Sequence, residues 1–172
     1  PTRRSSDLSF KIKTKDFEEL IGQTAFACSD KETRPVLTGV NLKAHDKKLH
    51  ANATDSYRLA SKTIDLDTDM EFNITVPSKY LNEVCRSFIN EEEMTVSIDN
   101  QKISFVIKDS VIQTRLLDDE FPDTDRLIPL SFLQKLTVSS KELSRAVERT
   151  SFIKADGKNT IKMSIDSEKI EL

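Results

Sequence analysis

The chain has 172 residues, 37% of them hydrophobic and 32% charged, with a formal net charge of −3, which is room for one ordinary domain plus a fragment around a packed core. No apolar run approaches the roughly 18 residues needed to cross a bilayer, and the start lacks the apolar centre of a secretory signal. The negative balance argues against a generic basic nucleic-acid binder, but it leaves open where the 26 basic side chains gather.

Residues 1–7 begin at Pro1 rather than methionine and are polar without periodicity, so they read as a flexible or foreign leader. Leu8, Phe10 and Ile12 alternate with Ser9, Lys11 and Lys13, which predicts a strand ending on Thr14, a good N-cap. Phe17, Leu20, Ile21, Thr24, Ala25 and Cys28 then recur at helical spacing. Strands are expected at 36–44, 49–54 and 57–66, with a hairpin turn at Asp46-Lys47-Lys48, and a short one carries Phe72, Ile74 and Val76. Pro77 suits the first turn of a second helix, with Tyr80, Leu81, Val84, Cys85 and Phe88 on one side. Strands at 94–98, 103–107 and 111–117 follow, joined by turns at Asp99-Asn100-Gln101 and Asp109-Ser110. This is an α+β pattern of antiparallel sheets with eight strands and two helices. Cys28 and Cys85 fall on apolar helix faces and read as reduced core residues of a cytoplasmic protein.

After Pro129 the pattern begins again. Lys15, Phe17, Leu20, Ile21 and Thr24 match Lys141, Leu143, Ala146, Val147 and Thr150 at a constant offset of 126 residues, the match runs on through Ser151 and Phe152, and the strand before the helix matches at 136–138. The expected organisation is therefore one complete domain over 8–129 and the opening of a second copy over 130–172. The last residues, from Lys169 to Leu172, stop inside an alternating strand, which suggests truncation.

The corner at 53–60 interrupts the strand pattern with Thr54, Asp55, Ser56, Tyr57 and Arg58. An Asx-type turn is the usual reason for such residues, with a functional site as the other reading. A hydrolase using Thr54, Asp55 and Tyr57 lacks a base and an oxyanion donor. The three glycines, Gly22, Gly39 and Gly157, form no phosphate-cradling loop. His45 and His50 share a hairpin without a third ligand at metal spacing, and Asp65, Asp67 and Asp69 lack the remaining positions of a calcium loop. No cofactor or metal is expected. Lys79, Asn82 and Arg86 form one polar stripe on the second helix, and Arg145 with Arg149 form another in the repeat; each is a solvated face or a phosphate-meeting surface.

Three blocks then converge, Arg34-Pro35-Val36-Leu37-Thr38-Gly39-Val40, the corner from Ala53 to Ala60, and Arg115-Leu116-Leu117-Asp118-Asp119-Glu120-Phe121-Pro122-Asp123. In order and spacing they resemble the bacterial DNA polymerase III beta subunit, the replicative sliding clamp, over residues 8–172. The resemblance implies the clamp fold, with 8–129 as the middle of three domains and the start of the third beyond. It implies a non-catalytic homodimeric ring around duplex DNA, without sequence specificity, at the replication fork in the cytoplasm and with no membrane role. Partners would be the polymerase alpha subunit, the clamp loader, other polymerases and repair proteins, each bringing a short peptide with a glutamine and hydrophobic anchors. Matched by position, the peptide pocket is Leu37, Thr54, Ser56, Tyr57, Arg58, Leu59, Pro122, Arg126 and Leu127. The DNA-facing set is Lys31, Lys79, Asn82, Arg86, Arg145 and Arg149. The family's glycine-histidine pair is Ser56-Tyr57 here, Pro35 and Val36 lack donors for DNA, and the C-terminal pocket strand and the first domain are absent. The alternative is a clamp-fold peptide-binding adaptor without a DNA role.

Overall fold

In the computed structural model, which describes residues 8–88, 90–133, 135–150, 161–166 and 169–172, the alternation at the start of the chain becomes β1 (Leu8–Lys13), followed directly by α1 (Thr14–Gly22). The predicted leader, the Ser151 and Phe152 end of the repeat, and Gly157 lie outside the described residues. Two units divide between Ile128 and Pro129.

In the first unit the remaining elements are β2 (Gly39–His45), β3 (Lys48–Thr54), β4 (Leu59–Asp65), β5 (Phe72–Pro77), α2 (Ser78–Ser87), β6 (Glu93–Ile98), β7 (Lys102–Ile107) and β8 (Ser110–Arg115). They form two four-stranded sheets, ordered β1-β6-β7-β8 and β4-β3-β2-β5, with every neighbouring pair antiparallel. This is the α+β arrangement of antiparallel sheets and two helices expected from the residue pattern. One continuous core joins the sheets. Phe10, Ile12, Met94, Val96, Ile103 and Phe105 enter it from one, and Val40, Leu42, Leu49, Ala51 and Val76 from the other. The helices pack on each other, burying Phe17, Leu20 and Ile21 of α1 and Leu81 and Val84 of α2. Asp46 and Lys47 both take positive φ, 50° and 57°, the two-residue turn whose twist suits a hairpin. Lys48, expected in that turn, opens β3 and pairs with His45.

The expected boundaries shift where local chemistry overrides periodicity. Residues 36–38 are not strand. Pro35, which lacks an N–H and has a fixed φ, opens a 3-10 turn over Pro35–Thr38, closed by the Leu37 N–H on the Arg34 carbonyl at 3.0 Å and the Thr38 hydroxyl on the Pro35 carbonyl at 2.7 Å. The first helix does not reach Cys28. The Thr24 hydroxyl donates back to the Leu20 carbonyl at 2.8 Å, and a separate 3-10 turn over Ala25–Ala27 carries the chain to an extended Cys28. Thr14 is no cap. Lys13 holds that position without a side-chain bond, and the buried Thr14 hydroxyl has no partner among the described residues. Burial pushes the thiols of Cys28 and Cys85 up to about 11, as inert core sulfurs require.

Gly39 sits where backbones meet. A Cβ there would lie 2.7 Å from the Val76 carbonyl oxygen and 2.7 Å from a Leu117 methyl. β2 can enter the sheet beside β5, under Leu117, only without a side chain at this position.

The second unit has α3 (Ser140–Thr150), with no buried residue, and an antiparallel pair of β9 (Ser164–Ile165) and β10 (Ile170–Glu171). α3 begins 126 residues after α1, at the offset of the repeat. The strand expected at 136–138 is not formed, and Leu136 and Val138 are 49% and 42% exposed. β1 is a strand because β6 pairs with it from Leu8↔Ile98 to Lys13↔Glu93; residues 136–138 have no such partner among the described residues.

Candidate peptide-binding corner and basic helix face

The β3–β4 corner is built by its own side chains. Thr54 is buried, and its hydroxyl donates to the Arg58 carbonyl at 2.7 Å while accepting the Ser56 N–H at 3.1 Å. Asp55 Oδ1 accepts the N–H groups of Tyr57 and Arg58, each at 3.0 Å, and Oδ2 takes Arg58 Nε at 3.1 Å. These backbone donors, Tyr57 first, hold its carboxyl below the usual carboxylate range. Ser56 turns the chain with φ 77°. β4 therefore starts at Leu59 rather than at Tyr57. The Asx-turn reading and the site reading describe the same residues: the hydrogen bonds that close the turn throw Tyr57 outward at 97% exposure. They also commit the Thr54 hydroxyl to the turn, so it is neither a free nucleophile nor a free peptide donor.

Arg58 lies over Phe26, with its guanidinium carbon 5.7 Å from the ring centroid. Phe26 is 60% exposed and was not among the residues expected at the site. Its signal in the sequence was a large aromatic just past the apolar stripe of α1.

Thr54, Ser56, Tyr57, Arg58 and Leu59 form one corner. Leu37 is buried, its carbonyl accepting the Ser29 N–H at 2.8 Å. Pro122, Arg126 and Leu127 lie on a strap after β8. The strap starts with the Leu117 N–H on the Thr75 carbonyl at 2.9 Å and is tied by Lys43 to Asp125 at 3.7 Å. Pro122 lines a polar cavity of about 370 Å³ with Asn41, His50, Asn52 and Thr124; none of the corner residues is in that lining. Arg126 pairs with Asp123 at 2.9 Å, and Leu127 is 57% exposed.

Under the strap, His45 and His50 stack at 5.0 Å, and His50 Nε2 is buried without a partner among the described residues. Among the described residues no group of three metal-ligating side chains forms. Burial holds His50 below its ordinary pKa of 6.5, helped by His45, Lys43 and Lys48 and opposed by Asp125. The unfolded chain therefore takes up this proton first, so stability falls as the pH drops below about 6.5. Urea midpoints measured between pH 7 and 5 are expected to decline, and His50→Gln to remove that part of the slope. An unchanged slope in the variant refutes the assignment.

Lys79, Asn82 and Arg86 are exposed along α2, opposite buried Leu81 and Val84. Lys79 and Arg86 make no ion pair among the described residues, and Lys79 Nζ lies 6.0 Å from the Tyr80 ring centroid. Lys31 is exposed in the loop before β2, and Arg145 and Arg149 are exposed on α3.

Residues 11–123 match the family described as DNA polymerase III beta subunit, central domain. The chain belongs to this family. It is similar to the beta sliding clamp of Bacillus subtilis, at 36% identity over 89% of this chain and 41% of the relative. It is also similar to that of Staphylococcus aureus (strain Mu50), at 35% identity over 98% of this chain and 45% of the relative. The crystal structure of the Bacillus subtilis sliding clamp matches with a TM-score of 0.89 at 32% identity, over 99% of this chain and 46% of that one. The chain thus spans less than half the length of these relatives.

Proposed function

We propose that this chain is the middle part of a replicative sliding clamp, a non-catalytic processivity factor that closes as a homodimer around duplex DNA. The observation that carries the reading is the match of 11–123 to the family's central domain, on a unit whose α2 presents to solvent Lys79 and Arg86, neither in an ion pair among the described residues. A ring holds DNA by topology, so its inner surface needs only weak phosphate contacts, which leave it free to slide. A net charge of −3 is compatible with this, because only the inner helices need be basic. In this reading Lys31, Lys79, Asn82, Arg86, Arg145 and Arg149 face the phosphates. Residues 130–172 open the next clamp domain, a reading supported by the equivalent start of α3. The alpha subunit of the polymerase, the clamp loader and repair proteins dock a short peptide on Leu37, the β3–β4 corner, Pro122, Arg126 and Leu127. Tyr57 and Arg58 supply the aromatic and guanidinium contacts common at binding hot spots.

The test is a chimera in which residues 8–172 replace the matching segment of the Bacillus subtilis clamp. It is expected to stay on circular duplex DNA and to slide off when the circle is cut. Lys79→Glu with Arg86→Glu should shorten its retention. A folded, dimeric chimera that is never retained overturns the proposal.

A further inference from the structure

The Arg58 guanidinium is held from two directions. Its Nε–H donates to Asp55 Oδ2 at 3.1 Å, and its carbon lies 5.7 Å from the Phe26 centroid. Asp55 is itself pinned by the N–H groups of Tyr57 and Arg58, so the anchoring carboxylate belongs to the turn and does not swing. The Nη groups take no protein partner among the described residues, and the side chain is 55% exposed. A guanidinium left in open solvent would sample many rotamers; stacked on a ring face and tied at Nε, it presents one edge in one direction. Phe26 is 60% exposed, so packing does not account for its ring.

We infer that Phe26 is a positioning residue of the partner-peptide site: its ring face and the Asp55 carboxylate together hold Arg58 with its Nη edge toward an acceptor oxygen of the bound peptide. This rests on reading the β3–β4 corner as that site. Pre-organising the side chain lowers the ordering cost of binding, and the size of the effect follows from a cation–π contact at an exposed position, about three-fold in affinity.

The experiment uses the chimera and a fluorescein-labelled peptide carrying one glutamine and two apolar anchors. Phe26→Leu is expected to weaken binding about three-fold, and Phe26→Tyr, which keeps a ring face, to bind like the parent. In an Arg58→Ala background Phe26→Leu should cost nothing further, because the residue it positions is gone. An equal loss in both backgrounds, or Phe26→Tyr as weak as Phe26→Leu, overturns the inference alone. Arg58→Ala binding as tightly as the parent overturns the reading of the corner, and this inference with it.

Discussion

Phe105→Ala is expected to destabilise the chain by about 3–5 kcal/mol, the cost of removing a fully buried aromatic ring and leaving a cavity that its neighbours fill only in part. Phe105 is 0% exposed and Phe17 is 2% exposed, and their rings meet at 5.5 Å and 53°. The pair joins β7 of one sheet to α1, so the substitution takes from α1 an aromatic contact with that sheet. Against a total stability of about 5–15 kcal/mol, the loss removes a large share and should lower the Tm by about 10 °C or more. Urea and thermal unfolding of the 172-residue chain followed by circular dichroism measure it. A loss below about 1 kcal/mol would mean that this junction collapses without strain, contrary to the packing described.

Arg58→Ala should weaken binding of the peptide carrying one glutamine and two apolar anchors about ten-fold, the range of a guanidinium truncated within an interface centre. The effect is confined to binding. Thr54 and Asp55 keep the turn through the backbone of 56–58, so the variant should fold like its parent. Calorimetric titration of the chimera with the peptide measures the change, and equal affinity would remove Arg58 from the site.

The strands and helices of the first unit were legible because their signals are short-range. Val40, Leu42 and Ala44 alternate, Phe17, Leu20 and Ile21 recur at helical spacing, and Asp46-Lys47 turns the chain wherever it sits. The errors also have local causes: Pro35 delayed β2, and the Thr24 hydroxyl ended the helical run early. Leu136 and Val138 show the other limit, since alternation without a partner strand leaves two exposed side chains.

The corner was legible as residue types but not as contacts. Thr54 and Asp55 were visible as turn or site; that they close the turn while Tyr57 and Arg58 project from it depends on where each oxygen points. Phe26 comes to lie beside Arg58 only because a 3-10 turn follows α1.

By itself the sequence determined the order of elements, the inward stripe of each and the hairpin turns, since periodicity and turn chemistry act over a few residues. It also carried the blocks that mark the clamp family. The tertiary structure decided which strands pair across long separations, as β1 does with β6. It decided that polar Asn41 and Asn52 are buried beneath a strap while Tyr57 stands in solvent. Burial is settled by what crosses a surface, and the segment that crosses this one comes from the far end of the same unit.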